Sequence, residues 1–472
     1  MAFRHTPRSN VLPSLADVTL WPFWLDRTEA PVAQSMLVHD IDTELLIVGA
    51  GFTGLWTALQ AIEEDPSRDI VIVDASESAN AASGRNGGFV HNTLTHGFGN
   101  GHSRWPEELA TITRMGNENL HQIAETVERL EIDCDWRWAG ELEVASEPHE
   151  IAELRERPAL AAEYGENLVW LDRDQTRARL NSPTFEGSLF DPDGVAMVDP
   201  ARLAWGLKKA CLDAGVRIFE NSEVLELEDE GGHVVATTPM GSVRARKVAL
   251  ATNAFRSPIR AVRRRIVPVY DYVLTTEPLT DEQWASLGWD GYEGISDAGN
   301  QFHYYRRIAD GRILWGGYDA IYHSRNGIGP QFENDPASYG RLADHFFQTF
   351  PQLAGIKFSH AWGGAIDTCS RFSAFWGTTH GGKTAYVAGF TGLGVGASRF
   401  GGRVMLDFLD GKSTERTQLK MVRTKPMAFP PEPLRSIAIA LTRWSLDRSD
   451  RNGGKRNIWL KVLDRFGLGF DS

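Results

Sequence analysis

The chain has 472 residues, 42% of them hydrophobic and 24% charged, and a net charge of −13. Such a length exceeds what one core holds and predicts two domains, while no apolar run approaches the ~20 residues of a membrane span. The acidic balance disfavours nucleic acid, and Cys134, Cys211 and Cys369 lack C-x-x-C spacing, against a disulfide framework or a metal site.

Residues 1–42 form an irregular lead in which Trp21, Phe23 and Trp24 are too aromatic for a disordered arm and are expected to pack on the body. MAFRHTPRSN lacks a signal-peptide core, so a cytoplasmic location is expected. A strand, Leu45–Val48, then runs into Gly49, Gly51 and Gly54, spaced G-x-G-x-x-G, and into Leu55, Ala58, Leu59 and Ile62 at helical spacing. The first glycine permits a tight turn, the second lets backbone approach a pyrophosphate, and the third lets helix and strand pack closely. The helix N-terminus offers free N–H groups to phosphate. A second strand, Ile70–Val73, ends in Asp74, placed to accept hydrogen bonds from a ribose. Together these predict a dinucleotide site.

Ala82–Phe89, ASGRNGGF, reads as a small-residue loop dense in backbone N–H groups, and Glu107–Glu131 as a long helix with one apolar stripe. Asp199–Pro200 opens another helix, the Asp as N-cap and the Pro in the first turn. Strands are expected at Val216–Phe219, Ser222–Glu228, His233–Thr238 and Val243–Thr252, then at Ile266–Glu277, Gln301–Arg307 and Arg312–Gly316, with a helix near Ser338–Phe350. On the strand HYYRR, alternate residues share a side, so either His303 and Tyr305 or Tyr304 and Arg306 face the site. Thr384–Gly389 reads as a strand, GFTGLGVGAS as a glycine loop and Phe400–Leu409 as a helix; the tail from Lys412 is basic. Its bland reading is a solvated face on the acidic body; its sharper one is docking to a membrane surface or a partner.

Three signatures, LLIVGAGFTGLWTA, ASGRNGGF and YVAGFTGLGVGASRFGG, make the chain resemble the D-amino-acid-oxidase-like superfamily of FAD-dependent oxidoreductases. It is most similar to the gamma-glutamylputrescine-oxidoreductase-like branch, with which it shares ASGRNGG and the WGG of Trp362–Gly364. The resemblance implies an α/β (α+β overall) fold: a Rossmann-like FAD-binding domain and a discontinuous substrate domain on a mixed or antiparallel sheet. The expected FAD domain comprises 43–95, 197–257 and 380–411, and the substrate domain 96–196 and 258–379; 412–472 is the basic tail.

The resemblance also implies a cofactor set and a reaction. Gly49, Gly51, Phe52, Thr53, Gly54, Asp74 and Ala75 would hold the ADP half of non-covalent FAD. Ser83, Gly84, Arg85, Asn86, Gly87 and Gly88 would run beside the pyrophosphate and flavin, with Arg85 offsetting phosphate charge. Val224 would meet the adenine, and Ala251 and Thr252 would form the second turn. Gly389, Thr391, Gly392, Leu393, Gly394, Val395 and Gly396 would bring a helix N-terminus to the pyrimidine end of the flavin. The implied reaction is oxidation of an amine C–N bond, to an imine that water hydrolyses, with O2 or another acceptor. Catalytic candidates are Tyr304, Tyr305, His303 and Arg371. Where amino-acid oxidases of the superfamily carry a carboxylate-binding Arg this chain has Ile366, and where sarcosine-oxidase-like members carry a Lys it has Gly396. A bare carboxylate wants a fixed cation, so the expected substrate is an amine without one, such as a polyamine derivative. Cys369 and His91 are weighed as covalent flavin attachments against plain buried side chains. The rival functions are a D-amino-acid or glycine/sarcosine-type oxidase or dehydrogenase, a flavin-free NAD(P)-dependent dehydrogenase, and a non-catalytic flavin-binding subunit.

Overall fold

A computed structural model describes Phe3, residues 6–465 and residues 467–468. Its first sheet has eight strands, in the order Glu226–Asp229, Val234–Thr237, Ser242–Leu250, Ile41–Val48, Ile70–Val73 and Arg217–Phe219. Ser242–Leu250, Ile41–Val48, Ile70–Val73 and Arg217–Phe219 are mutually parallel. Thr384–Ala388 joins Ser242–Leu250 in parallel, and Phe375–Thr379 pairs back onto it. Leu45–Val48 and Ile70–Val73 are buried throughout, because a parallel sheet covered on both faces needs uninterrupted apolar runs. Helices Phe52–Glu64, Pro200–Asp213 and Gly394–Leu409 supply much of the apolar cover of one face.

The second sheet has nine strands, ordered Ile321–Tyr322, Val267–Thr276, Ile313–Gly317, His303–Arg307, Gly294–Asp297, Glu141–Ala145, Gly187–Asp191 and Val169–Asp172, with Phe358–Thr368 along Val267–Thr276. All its pairs are antiparallel save Gly294–Asp297 on Glu141–Ala145. One face carries Tyr272, Leu274, Tyr305, Trp315 and Leu142 into a core closed by Phe346 and Phe350, contributed by helix Pro336–Thr349 and the residue that ends it. The other face looks toward the nucleotide sheet. This one-sided burial is what an antiparallel sheet permits and what leaves a wall free for a site.

Most strand boundaries shift by a residue or two, the ASGRNGGF stretch opens with a helical turn, Ala82–Arg85, and other elements shift for reasons that can be named. The strand expected at Ser222–Glu228 is Glu226–Asp229, because Ser222 is spent locally: its N–H bonds Asp74 O and its hydroxyl accepts from Leu37 N–H. The long helix is Leu109–Arg129. The last helix of the nucleotide unit begins at Gly394 and not Phe400, so half of the expected glycine loop is its first turns. Of the lead's aromatics, Trp24 packs on the body, 1% exposed with its indole N–H donating to Asn86 O, Phe23 is half-buried, and Trp21, expected to pack, is exposed. Beyond the nucleotide unit the chain ends in helices Leu434–Arg451 and Ile458–Arg465.

Candidate active site

A cavity of about 2020 Å³ runs between the two sheets. That exceeds the 300–1,000 Å³ usual for a small ligand and leaves room for a dinucleotide beside a substrate. One end is built by the G-x-G-x-x-G turn. Gly49 has φ +111°, and a Cβ there would lie 2.5 Å from Ala251 O; a Cβ on Gly54 would lie 1.8 Å from Gly49 O. Only glycine lets the two strand-ending turns and the helix close up this tightly. Asp74 Oδ2 accepts from Ala50 N–H at 2.6 Å and Oδ1 from Ser76 N–H at 2.8 Å. Burial pushes this carboxyl up, while these bonds pull it back. Ser83 Oγ accepts from Phe52 N–H at 2.9 Å, so the ASGRNGG loop caps the helix that faces the pyrophosphate position.

Of the expected cofactor residues, Gly49, Gly51, Phe52, Thr53, Asp74 and Ala75 line the cavity at this end, with Val224, Ala251 and Thr252 beside them. Ser83, Arg85, Asn86 and Gly87 line its middle, and Thr391, Gly392, Leu393, Gly394 and Val395 the far wall. Gly54, Gly84, Gly88, Gly389 and Gly396 stand just behind the wall, Gly54 closing helix against strand as its place in the motif predicts. They act as spacers: a Cβ would meet Ala79 O at 2.3 Å from Gly84, Val198 O at 2.2 Å from Gly88 and His91 O at 2.1 Å from Gly396. The backbone at Gly396 therefore has no space for a lysine.

Arg85 is also corrected. Its guanidinium pairs with Glu333 at 2.7 Å and donates to Asn80 O and Gly363 O. It ties the loop to the WGG strand and is not left free for phosphate. Trp362 Nε1–H donates to Arg85 O at 2.9 Å, so two buried indoles, Trp24 and Trp362, fix consecutive carbonyls of this loop.

Strand pleating settles the alternation on HYYRR. Tyr304, Gly316, Ser296 and Glu143 lie in one cross-sheet row, and Val269, Asp271 and Val273 share that face on the neighbouring long strand. Asp271, Val273, Tyr304, Ser296, Glu141 and Glu143 line the cavity. His303 and Tyr305 point the other way, which overturns them as site residues: Tyr305 is in the core, and His303 bonds Asp297 at 2.6 Å and His345 at 2.9 Å. Arg306 lies beneath the loop, donating to Gly88 O and Val198 O, and burial lowers its pKa to about 10.

Arg371 is overturned as well. It is buried and donates to the carbonyls of Ser373, Ala374, Met421 and Thr424, pinning the chain that leaves the nucleotide unit. Cys369 is buried, its thiol donating to Ser373 O at 3.2 Å. His91 lines the cavity, with burial holding its imidazole down to about 4.

Sequence reasoning missed Asp271, Glu141 and Asp367. Asp271 accepts from Tyr304 Oη at 2.7 Å and Tyr272 N–H at 2.8 Å, and burial raises it to about 7. Glu141 is likewise raised to about 7 by burial. Asp367 Oδ2 accepts from Gly389 N–H at 2.6 Å, anchoring the glycine turn ahead of the last helix. A lone acid at an inward position of an otherwise apolar strand was the available signal for Asp271 and Asp367.

The sequence pattern of the family described as "DAO: FAD dependent oxidoreductase" matches residues 44–408. The chain belongs to this family. It is 32% identical over 381 residues to gamma-glutamylputrescine oxidoreductase of Escherichia coli, covering 79% of this chain and 85% of that one. It is 28% identical over 380 residues to a probable oxidoreductase, OrdL, of Haemophilus influenzae, covering 78% and 83%. Glycine oxidase from Geobacillus kaustophilus superimposes with a TM-score of 0.66 at 17% identity, over 82% of this chain and all of that one. The family's cofactor is FAD, and the glycine cradle, Asp74 and the cavity fit it: Gly49 and Gly51 present bare backbone to the cavity beside the start of helix Phe52–Glu64, with Asp74 on the same wall.

Proposed function

We propose that this FAD-dependent oxidoreductase works in the cytoplasm on the C–N bond of an amine lacking a bare α-carboxylate, such as a polyamine derivative. The observation that carries the reading is the Tyr304–Asp271 pair on the cavity face, beside Gly87 of the ASGRNGG loop. Bound FAD supplies the two-electron acceptor for the C–H bond next to nitrogen. Gly49, Gly51, Asp74 and Ser83 are the residues that would hold its ADP half, and Thr391–Val395 its flavin end.

Asp271 is the group that meets an incoming ammonium. With Tyr304, Tyr272 N–H and Gly317 N–H already donating to it, the carboxylate keeps acceptor capacity for one further donor. With its pKa raised to about 7, the carboxylate takes up the proton that a reactive neutral amine must lose. Tyr304 fixes the carboxylate's orientation and remains a phenol, because burial raises its own pKa well above the ordinary value. Glu141 continues the same face and favours a second hydrogen-bonding group along the substrate, while Glu143 beside it is paired with Arg157, which also lines the cavity. An α-amino acid would need a cation over its carboxylate, and the matching positions are Ile366, apolar and on the cavity wall, and Gly396, behind it. The E. coli relative is named an oxidoreductase of gamma-glutamylputrescine, a polyamine derivative, which supports an amine substrate of that class.

The test is the anaerobic visible spectrum of the purified holoenzyme titrated with putrescine, longer polyamines, their gamma-glutamyl derivatives and D-amino acids. Bleaching by amines whose oxidised carbon bears no carboxylate, the gamma-glutamyl polyamines among them, is expected. Bleaching by amino acids alone would overturn the substrate assignment, and a yellow protein bleached by nothing would overturn the catalytic one.

A further inference from the structure

The last two helices belong to neither the family's matched span, which ends at residue 408, nor the chemistry above. Their inner sides close the cavity: Ala438, Ile439, Thr442 and Leu446 of Leu434–Arg451, with Trp459 and Leu463 of Ile458–Arg465, line it. The two are tied by Trp459 Nε1–H to Thr442 Oγ1 and Asn457 Nδ2–H to Ser445 Oγ, each 2.9 Å. Their outer sides are unusual for a soluble surface. Leu434, Ile437, Leu441 and Trp444 are 59%, 59%, 37% and 53% exposed. Spaced three, four and three residues apart, they form one stripe along a helix about 27 Å long. Ile458 and Val462, one turn apart on the second helix, are also exposed.

Charge identifies what covers such a stripe. Residues 412–472 hold thirteen Lys and Arg against six Asp and Glu, within a chain of net charge −13. Arg448 lies over the Trp444 ring at 5.5 Å, and Lys455 and Lys461 are exposed near the stripe. Leucine, isoleucine and tryptophan rimmed by Lys and Arg are the composition of a helix lying in the headgroup layer. Self-pairing of the stripe would bring Arg448 of two copies together. A negatively charged bilayer attracts this end of the molecule and repels the acidic remainder, which fixes the orientation. No helix among the described residues can cross a membrane, so the contact is peripheral.

We propose that the C-terminal helix pair docks the enzyme on an anionic lipid surface, with the cavity's helical cover turned toward the bilayer. The test is co-sedimentation of the full-length holoenzyme with vesicles of equimolar phosphatidylcholine and phosphatidylglycerol, against phosphatidylcholine alone. Binding to the anionic vesicles is expected, weakened at least about tenfold by Ile437→Asp with Leu441→Asp, by Arg448→Glu with Lys461→Glu, and by high salt. Flavin absorbance per chain, unchanged in each variant, shows that the fold is kept. No binding to anionic vesicles overturns the proposal. So does a wild-type dimer, seen by light scattering, that becomes monomeric in the Ile437→Asp, Leu441→Asp variant, since a second copy would then cover the stripe.

Discussion

The Tyr304 hydroxyl donates to Asp271 Oδ2 at 2.7 Å across the strand Ile313–Gly317, which reaches its neighbours there through glycine. A Cβ on Gly316 would stand 2.7 Å from Tyr304 Oη and Cζ, and one on Gly87 would stand 2.9 Å from the same ring. Two positions on different elements are thus kept bare so that one phenol can reach one carboxylate. Asp271 is also register-paired with Gly364, the last residue of WGG, whose own nearest neighbour is Arg85. The pair therefore sits where the loop, the WGG strand and the central sheet meet.

Replacing the acid tests its role as proton acceptor. Because burial raises Asp271 to about 7, the wild-type rate of anaerobic flavin reduction should rise with pH through about 7 as the carboxyl ionises. Asp271→Asn should abolish that limb and cost about 10- to 100-fold, the worth of one charge-assisted hydrogen bond. An unchanged pH profile would remove Asp271 from the chemistry. The same raised pKa has a sign for stability: the folded state binds the extra proton between about pH 4 and 7, so this group's contribution declines as pH rises through that window.

Gly316→Ala leaves every polar group in place and moves only the ring. The added methyl should displace Tyr304 and lower the reduction rate about tenfold, with FAD content unchanged by absorbance. Full activity would show that the position of Tyr304 is immaterial.

At the nucleotide end, Asp74→Ala should weaken FAD retention about tenfold or more, measured by release on dialysis, because a charge-assisted bond is lost. Full flavin occupancy in that variant would refute the ribose assignment.

A buried ion pair offers a stability test away from the chemistry. Lys208 Nζ donates to Glu220 Oε1 at 2.7 Å with side chains only 3% and 0% exposed, and Glu220 also accepts from Ser78 N–H in the loop after Asp74. Lys208→Met leaves an unpaired buried carboxylate and should lower stability by about 3–5 kcal/mol in urea titration. Lys208→Met with Glu220→Leu should recover part of it; no recovery would place the cost in packing.

Arg371 separates a structural from a substrate role. Arg371→Lys keeps the charge and loses the planar fork that serves four carbonyls. A lower Tm with an unchanged KM for amine is expected, whereas a KM change of tenfold with unchanged Tm would restore it to the site.

By itself the sequence determined the nucleotide half. Gly49, Gly51 and Gly54 follow an apolar strand, Asp74 ends the next one, and both patterns are local, within reach of each other along a single β–α–β unit. Backbone that must approach a phosphate admits one residue type, so the spacing carries the geometry. It also placed the HYYRR strand and its two possible faces. The choice between those faces needed the partner strands, since pleating only says that Tyr304 and Tyr305 point apart. Asp271 lies 33 residues before Tyr304 in the chain, and nothing local to either shows that they meet. Arg85 and Arg371 read as free cations because a sequence does not show which carbonyls or acids will enclose a guanidinium. Burial, too, is a property of the assembled sheets: with the nearby Asp319 carboxylate adding to it, burial raises Asp271 to about 7 and turns an unremarked strand acid into a group able to exchange a proton near neutral pH.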